Sequence, residues 1–163
     1  MTDQPILRRP AELDELDRAI LSELAVNARI SNASLAERVV VAPSTAHARV
    51  RLLIESGVVT GFRTEVSPAA LGLGIQAMVS VNIRVGARHS INQFLEDMKK
   101  RPEVLQAYFL GGSDDYFVHI AVPDADAVRS FVVDQLSANP VVASTRTSFV
   151  FEHYSAPLGR RER

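Results

Sequence analysis

Hydrophobic residues in the first third of the chain recur at spacings of three and four, a period typical of helices with one buried face. The first such run predicts a helix over about 14–27. Acidic side chains in its opening turn suit the positive end of the helix dipole. The apolar positions of this run are Leu13, Leu16, Ile20, Leu21 and Leu24, and the acidic ones are Asp14, Glu15 and Asp17.

Two more helices are expected to follow closely. Ser34 and Glu37 have the spacing of a capping box and predict the start of a short second helix. Pro43 suits the first position of a third helix over about 43–56, which Gly57 ends. The inward stripe of this helix is Ala46, Val50 and Leu53. Two short helices and a third helix after a tight connection match the helix-turn-helix plan, in which the third helix enters the major groove of DNA.

The segment after the third helix has an extended pattern. Residues 57–66 place Val58–Thr60 and Phe62–Val66 on either side of Gly61, which predicts a small hairpin, the wing of a winged helix-turn-helix domain. Proline and alternating leucine and glycine over 67–74 predict a hinge into a second domain.

From Ile75 onward apolar and polar residues alternate, as in a strand with one buried face. This strand is expected to run to Val85. The elements expected after it are a helix opened by a Ser90–Gln93 capping box and ended by Pro102, strands over 104–110 and 116–122, a helix capped by Asp124, and a last strand over 141–152. The order β-α-β-β-α-β is that of a ferredoxin-like domain, so the predicted fold class is α+β.

The uncovered face of this predicted sheet is expected to bind a partner. Both faces of the strand over 104–110 are apolar: Val104, Tyr108 and Leu110 alternate with Leu105, Ala107 and Phe109. The strand over 116–122 has the same character, whereas a sheet wetted on one side should alternate apolar and polar residues. We therefore expect a homodimer through the second domain. The alternative is that this face packs on the first domain of the same chain.

Composition excludes several classes of protein. The 163-residue chain has no cysteine, which excludes a disulfide framework and a thiolate metal site. Its hydrophobic fraction of 47% is too high for a disordered chain. No apolar run is long enough to span a bilayer, and the first residues lack the apolar run of a signal peptide. These features predict a cytoplasmic protein with no membrane partner.

The net charge of −1 conceals a local imbalance. Residues 1–28 contain three arginines and six carboxylates, whereas residues 29–66 contain five arginines and three carboxylates. The positive charge therefore lies where the groove-facing surface is expected. The predicted DNA contacts on the third helix are Ser44, Thr45, Ala48 and Arg51 on its outward side and His47 and Arg49 on its flanks. A solvated helical bundle with a few arginines is the alternative interpretation.

An enzyme is not expected. The four histidines are scattered without metal-ligand spacing, and the chain has no nucleophile–base pattern or phosphate-binding glycine loop. Asp114 and Asp115 form a carboxylate pair that could suggest catalysis. Adjacent carboxylates at a tight turn, however, point apart more often than together. No metal and no cofactor are therefore predicted.

Residues 13–61 resemble the start of the family of leucine-responsive and asparagine-operon regulators, Lrp/AsnC. Residues 110–117, Leu-Gly-Gly-Ser-Asp-Asp-Tyr-Phe, resemble the Gly-x-x-Asp-Tyr turn of that family's regulator-of-amino-acid-metabolism domain. The run Ser144-Thr145-Arg146-Thr147 resembles its last strand. One departure lies in the turn before the third helix, where Val40-Val41-Ala42 replaces the usual Gly-Leu-Ser. A second is Leu52, where the family often has a basic residue.

The resemblance implies a bacterial or archaeal transcription factor that binds double-stranded DNA through a helix-turn-helix over about 32–51. It implies a homodimer that assembles into tetramers or octamers and responds to an amino acid held between protomers. The implied domains are a helix-turn-helix domain over 1–66, a hinge over 67–74, a ferredoxin-like effector-binding and oligomerisation domain over 75–154, and a tail over 155–163. A ligand-independent architectural DNA-binding protein is the alternative function.

The turn between the second and third strands of this domain is the predicted effector site. Backbone N–H groups of Gly111 and Gly112 suit a carboxylate, because glycine lets a ligand approach the backbone. Asp115, with Asp114, is placed to accept from an ammonium group. Further hydrogen bonds are expected from Tyr108 and Thr147, and an apolar wall from Leu105. The alternative is a β-turn in which Asp115 bonds only its own backbone.

Overall fold

A computed structural model describes residues 12–156 of the chain. The described residues divide into two compact units, one formed by Val66–His153 and the other by 12–65 together with 154–156. Most of the basic tail predicted over 155–163, and residues 1–11 of the first predicted domain, lie outside the described residues. Within the described range, no helix has both the length and the apolar character needed to cross a lipid bilayer.

Three helices form the first unit where the helical period predicts them. They are α1 (Glu15–Val26), α2 (Asn32–Arg38) and α3 (Pro43–Glu55). Ile20, Leu35 and Leu53 are buried at the centre of the unit, and the partly buried residues around them include most of the predicted stripe of α1. The apolar spacing of three and four therefore identified the core of this unit.

The start of α2 differs from the sequence prediction. The cap is Ser31, whose hydroxyl accepts a hydrogen bond from the backbone N–H of Ser34 over 3.1 Å. The predicted capping box opened by Ser34 is therefore wrong. Ser31 is the N-cap, so Ser34 lies inside the first helical turn. Its backbone N–H donates to the cap, and its own side chain does not cap the helix.

The predicted hairpin over 57–66 is also wrong, since no residue between Gly57 and Ser67 lies in a strand. Val58 and Val59 pack against the helical core, whereas Phe62 and Val66, beyond Gly61, are each at least half exposed. An isolated two-stranded hairpin is marginal in water, and these residues lack the buried face that would stabilise one.

The turn between α2 and α3 is strained. Val40 has φ +56° and is the one non-glycine residue in the described chain with positive φ. A β-branched residue rarely adopts this left-handed conformation, because its Cβ crowds the following carbonyl. Two residues later Ala42 occupies the N-cap of α3 and supplies no side-chain hydrogen bond. Both departures from Gly-Leu-Ser that the sequence shows therefore have a structural cost.

Replacing Val40 by glycine and Ala42 by serine is expected to stabilise the helical unit by about 1 kcal/mol each. Glycine relieves the left-handed strain, and the serine hydroxyl caps an orphan N–H at the start of α3. Chemical denaturation monitored by circular dichroism measures the gain. Val41→Gly is the matched control, because Val41 has no positive φ, and it should destabilise the unit. A neutral or negative effect of Val40→Gly would refute the strain.

The second unit is a four-stranded sheet with helices between its strands. Its elements are β1 (Ile75–Ile83), α4 (Ile91–Lys99), β2 (Val104–Phe109), β3 (Tyr116–Val122), α5 (Ala125–Ser130) with a π-helical continuation (Phe131–Ser137), and β4 (Val142–Val150). The strand order is β2-β3-β1-β4, and all neighbouring strands are antiparallel. This arrangement confirms the predicted α+β class and the ferredoxin-like β-α-β-β-α-β fold. Short 3₁₀ turns lie at Ala69–Leu71 and Val85–Ser90.

The helices cover one face of the sheet, which we call the helix face, and the opposite one is the open face. The core on the helix face is formed by residues of β1 and β3 at alternate positions together with residues of the helices: Ala77, Val79, Val81, Ile83, Tyr116, Val118, Ile120, Val122, Phe94, Met98, Val128, Phe131 and Leu136. The predicted alternation of β1 is therefore confirmed as far as Ile83.

Two local predictions at the end of β1 are wrong. Val85 was expected on the buried side of the strand but lies in the 3₁₀ turn with 82% of its surface exposed. Ser90 makes no capping bond with its side chain, so the Ser90–Gln93 capping box is absent. Its φ and ψ of −95° and 6° follow from the preceding 3₁₀ turn. A capping side chain needs extended backbone at this position.

A bulge in β2 changes which of its residues share a face. Val104 pairs with Ile120 while Gln106 pairs with His119, so Leu105 has no partner in β3. Beyond the bulge Ala107 pairs with Val118, so both Val104 and Ala107 lie on the helix face. The sequence had placed Val104 with Tyr108. An extra residue in a bulge reverses the alternation, and the apolar pattern gave no signal of it.

Candidate DNA-binding helix and effector region

The surface of α3 presents five of the six predicted DNA contacts to solvent. Ala46 and Leu53 are buried, whereas the exposed predicted contacts are Ser44, Thr45, His47, Ala48 and Arg51. Hydroxyls near the helix start and a small alanine in its middle suit a close approach to base edges. Leu52 is also exposed on this helix, with 56% of its surface accessible.

Arg51 is bound only to its own helix. Its Nε lies 2.6 Å from Glu55 Oε1, one turn further along, and the Arg51 side chain is 72% exposed. Such an exposed i,i+4 pair contributes about 0.3–0.5 kcal/mol at most, so the guanidinium can leave it at little cost. Arg51 is therefore available to a phosphate or a guanine edge.

Arg49, predicted on the flank of α3, is bound to two carboxylates of the neighbouring helix. Its Nη1 lies 2.8 Å from Asp14 Oδ2 and 3.2 Å from Asp17 Oδ1, both at the start of α1. We call these three residues the Arg49 clamp. The same carboxylates form the capping box of α1, in which the backbone N–H of Asp17 donates to Asp14 over 2.8 Å. Arg49 therefore holds α3 against α1.

The clamp also affects an ionisation equilibrium. The hydrogen bond from the Asp17 backbone and the nearby Arg49 charge hold the pKa of Asp14 below its usual value. Both interactions favour the charged carboxylate. No sequence pattern indicates this clamp, since 32 positions separate Asp17 from Arg49.

Asn32, which opens α2, is a residue of the site that the predicted contacts omit. Its Nδ2 lies 2.8 Å from His47 Nδ1, and this hydrogen bond joins α2 to α3. Both residues are exposed. The bond fixes the ring of His47 on the surface that α3 presents.

Ion pairs reduce the free positive charge of the segment over 29–66. Arg38 pairs with Glu23, and Arg49 and Arg51 have the partners given above. Arg29 and Arg63 form no ion pair among the described residues. The local excess of arginines is thus partly neutralised within the unit, and contacts with DNA must compete with these pairs.

In the turn between β2 and β3, Asp115 acts as a strand clamp. Its Oδ2 accepts a hydrogen bond from the backbone N–H of Ile83 over 2.7 Å, and its own N–H donates to the carbonyl of Val81 over 3.1 Å. The carboxylate is thus bound to the backbone of β1 and not to that of its own turn. The alternative in which Asp115 bonds only its own backbone is therefore wrong. Its contact with an ammonium group stays a prediction.

Gly111 and Gly112 lie at the exposed tip of this turn. Neither has positive φ, and a Cβ added at either position would meet nothing within 4 Å. Neither the backbone conformation nor contacts within the chain therefore require glycine at these two positions. Close approach of a second molecule to the backbone remains the one reason for glycine that the geometry allows.

The structure does not bring all the predicted effector residues together. Tyr108 pairs with Phe117, Phe117 with Ser80 and Ser80 with Arg146, so these side chains share the open face. Thr147 is one position further and lies on the helix face, at the opposite edge of the sheet from Tyr108. Tyr108 and Thr147 therefore lie apart within one chain, and their joint contribution to a site held between protomers stays a prediction. Leu105 lies in the bulge of β2 and is exposed.

The open face also contains a buried histidine. His119 Nε2 lies 3.0 Å from Gln76 Oε1, and its ring centroid lies 5.8 Å from that of His153. Burial and the neighbouring His153 lower the pKa of His119 from its usual value of 6.5. Both effects disfavour the imidazolium ion.

Acidification is expected to destabilise the second unit. Since the pKa of His119 is lower in the folded than in the unfolded state, the unfolded state binds the proton first, and stability falls as the pH drops through about 6.5. Thermal unfolding between about pH 7.5 and 5.5 measures this. His119→Gln cannot take up the proton and should flatten the profile, while His89→Gln, at an exposed position, should not. Identical profiles for wild type and His119→Gln would contradict the assignment.

The described residues contain no group of three histidine, aspartate or glutamate side chains that could hold a metal ion.

Two family models match the chain. Residues 13–60 match "Winged helix-turn-helix DNA-binding", which covers α1 to α3. Residues 76–157 match "Lrp/AsnC ligand binding domain", which covers the sheet and its helices. The two matches follow each other in the same order as the two compact units.

Similar proteins are regulators. The HTH-type transcriptional regulator AldR of Mycobacterium tuberculosis is 50% identical over 152 residues, which are 92% of this chain and 85% of that protein. Its crystal structure superposes with a TM-score of 0.77 over 90% of this chain and 97% of that one, at 44% identity. A transcriptional regulator of Neisseria meningitidis in complex with L-Met has a TM-score of 0.84 at 33% identity, over 91% of this chain and 96% of that one.

Proposed function

Because the chain belongs to the Lrp/AsnC family of DNA-binding transcriptional regulators, we propose that it binds specific operators through α3 and releases or rearranges on them in response to an amino acid. The relatives are transcriptional regulators and not enzymes, and this chain is a transcriptional regulator too. The proposed domains are a DNA-binding domain over 1–66, a hinge over 67–74, an effector-binding and oligomerisation domain over 75–154, and a tail over 155–163.

The observation that carries the DNA side of this proposal is the composition of the exposed surface of α3. Ser44, Thr45 and Ala48 are free of ion pairs, and the guanidinium of Arg51 has only a weak partner on its own helix. A recognition helix needs side chains of this kind near its amino end. Arg49 acts as the positioning residue that fixes α3 against α1.

For the effector side, support comes from the tip of the β2–β3 turn and from the relatives. The exposed Gly111 and Gly112 leave backbone N–H groups open to a carboxylate, and Asp114 lies beside them. The matched domain is a ligand-binding one, and the Neisseria regulator was crystallised with L-Met. The proposed effector is an amino acid, and Leu105, Tyr108, Asp115 and Thr147 complete the proposed contacts, with Thr147 contributed by a different protomer from Tyr108.

We propose that the second unit forms a homodimer, which assembles further into tetramers or octamers. Exposed aromatic and aliphatic side chains lie on its edge strands and directly after the last of them: Leu105, Tyr108, Phe109, Phe149 and Phe151. Apolar groups at this density on strand edges favour association with another copy. A ligand bound between protomers would then favour one assembly over another and change the spacing of the DNA-binding helices.

A thermal-shift screen with the twenty amino acids tests the effector proposal. A cognate amino acid is expected to raise the unfolding midpoint, because it binds only the folded state. Gly112→Ala is the matched variant: its new Cβ meets nothing in the chain, so the fold should be kept while approach of the carboxylate is blocked. The same variant should keep its affinity for DNA.

Two results would contradict this proposal. If no amino acid changes the unfolding midpoint, the sedimentation profile or the affinity for DNA, the chain is a ligand-independent architectural protein. If Gly112→Ala responds to amino acids as the wild type does, the effector does not bind at the turn.

A further inference from the structure

The hydrogen bond between Asn32 and His47 joins two exposed side chains of the first unit. It spans 2.8 Å, from Asn32 Nδ2 at the start of α2 to His47 Nδ1 on α3. Among the described residues, neither side chain has another hydrogen-bond or ion-pair partner. Water can satisfy both groups in the unfolded chain, so an exposed bond of this kind contributes little to stability. Its main consequence is therefore for the imidazole ring.

The bond selects one form of the His47 ring. The nitrogen of an amide group only donates, so His47 Nδ1 must be the acceptor and carries no hydrogen. In the neutral imidazole the hydrogen is then on Nε2. Because Nδ1 is already bound to Asn32, Nε2 is the ring nitrogen left for another molecule, and it can only donate. The Asn32 amide also keeps a second N–H group, which this bond does not use.

His47 belongs to a row of exposed side chains along α3. Ser44, His47 and Arg51 are separated by three and four positions, so they follow one another along one side of the helix. A recognition helix of this motif brings its amino-terminal residues to base edges, and the helix before it crosses the phosphate backbone. The Nε2 donor of His47 therefore belongs to the surface that the proposed function assigns to DNA, and Asn32 belongs to the helix that crosses the backbone.

We propose that His47 determines operator specificity by donating from Nε2 to a guanine, and that Asn32 is the positioning residue that keeps the ring in this donor form. Guanine presents two adjacent acceptors, N7 and O6, in the major groove. Adenine places an amino group beside its N7, and cytosine presents only a donor. The remaining N–H of Asn32 is available to a phosphate. This inference rests on the proposed function, because it names the base that the DNA-binding helix reads.

Selection of sites from a random-sequence library by the full-length protein, followed by anisotropy on duplexes altered one base pair at a time, tests the proposal. The wild type is expected to prefer a G·C pair by about ten-fold at the position that His47 reads. His47→Ala should lose this preference and keep those at other positions. His47→Gln should shift it toward A·T, because a glutamine amide pairs with N6 and N7 of adenine.

Asn32→Ala tests the positioning role. It should weaken the preference at the same base pair by about three-fold, and it should have no further effect in a His47→Ala background, since the two residues act through one contact. A residue that only supports the fold would change binding to all duplexes alike. Glu37→Gln, at an exposed position of the same helix, is the matched control and should keep the preference. The α2 cap is Ser31, so Asn32→Ala should fold, which circular dichroism establishes.

The other outcomes each overturn a stated part of the proposal. If His47→Ala lowers the affinity for every duplex equally, His47 does not read a base. If the pair that loses its preference is not G·C, the donor to guanine is wrong. If Asn32→Ala keeps the full preference, Asn32 does not position the ring. A wild type that binds all duplexes with the same affinity would overturn the proposed function itself, whereas a selective wild type with an equally selective His47→Ala variant overturns only this inference.

Discussion

Replacing Arg49 by alanine is expected to lower the free energy of unfolding of the helical unit by about 1–2 kcal/mol. The substitution leaves the Asp17 carboxylate, whose side chain is mostly buried, without its cation, and it removes the link between α3 and α1. For a unit of this size the unfolding midpoint should fall by about 5–10 °C. Thermal denaturation followed by circular dichroism measures the shift. Loss of DNA binding in this variant should follow the loss of folded protein.

A conservative variant separates the clamp from a DNA contact. Arg49→Lys keeps the positive charge but cannot contact Asp14 and Asp17 with one planar group, so we expect part of the destabilisation to remain. Asp17→Asn should destabilise the same unit, although the removed charge is negative and its loss would favour DNA binding electrostatically. If Arg49→Ala unfolds at the wild-type temperature and still loses its affinity for DNA, Arg49 is a direct contact and the clamp has no structural role.

Arg51→Ala is expected to have the opposite profile. The Arg51–Glu55 pair is exposed on both sides, so the free energy of unfolding should change by no more than about 0.5 kcal/mol. The affinity for an operator should fall by about ten-fold or more, and the slope of log K against log salt should become shallower by about 1 for each arginine lost. Fluorescence anisotropy over a series of salt concentrations measures both quantities.

Glu55→Ala is the control for Arg51→Ala. It frees the guanidinium from its intrahelical partner and removes a negative charge beside the DNA, so it should strengthen binding. An Arg51→Ala variant with an unchanged salt slope would show that this arginine does not meet a phosphate. The contrast between Arg49 and Arg51 is the main refinement that the structure brings to the predicted recognition helix, in which both arginines had the same role.

The fold was accessible from the sequence because it depends on periodicity. Apolar residues spaced by three and four defined α1 and α3, and alternation defined β1, since burial of one face imposes these periods. Local features for which the sequence offers two alternatives, such as two possible capping residues, were harder to predict. Ser31 and Ser34 are both good capping residues, and only the helix that forms decides between them. The bulge at Leu105 adds a residue without any change in hydrophobicity.

Side-chain partners were the least accessible feature of the candidate site. Asp17 and Arg49 are distant in sequence, and a helical wheel gives the direction of Arg49 but not the carboxylates that α1 places beside it. Asp115 resembles an exposed turn residue, yet its carboxylate accepts from the Ile83 backbone on another strand. Arg146 was part of a recognised run and was assigned no role. Its place beside Asp114 follows from the register of β4, which the sequence does not specify.

Only part of the positive charge over 29–66 is free in the folded chain. Arginines outnumber carboxylates over 29–66, but three of the five form ion pairs within their own unit. Binding by bulk electrostatics is therefore disfavoured, and a small number of placed contacts on α3 must supply affinity. Association of several copies on one DNA would multiply those contacts, which agrees with the apolar edges of the second unit.

The central proposal is that the protein binds an operator and that an amino acid changes this binding. The most direct test is the anisotropy of a labelled duplex, selected from a random-sequence library by the full-length protein, titrated with and without the amino acid that most stabilises the protein to heat. We expect the selected duplex to bind at least about ten-fold more tightly than a scrambled one, and its affinity to shift when the amino acid is present. Equal affinity for both duplexes, or no shift with any of the twenty amino acids, would contradict the account.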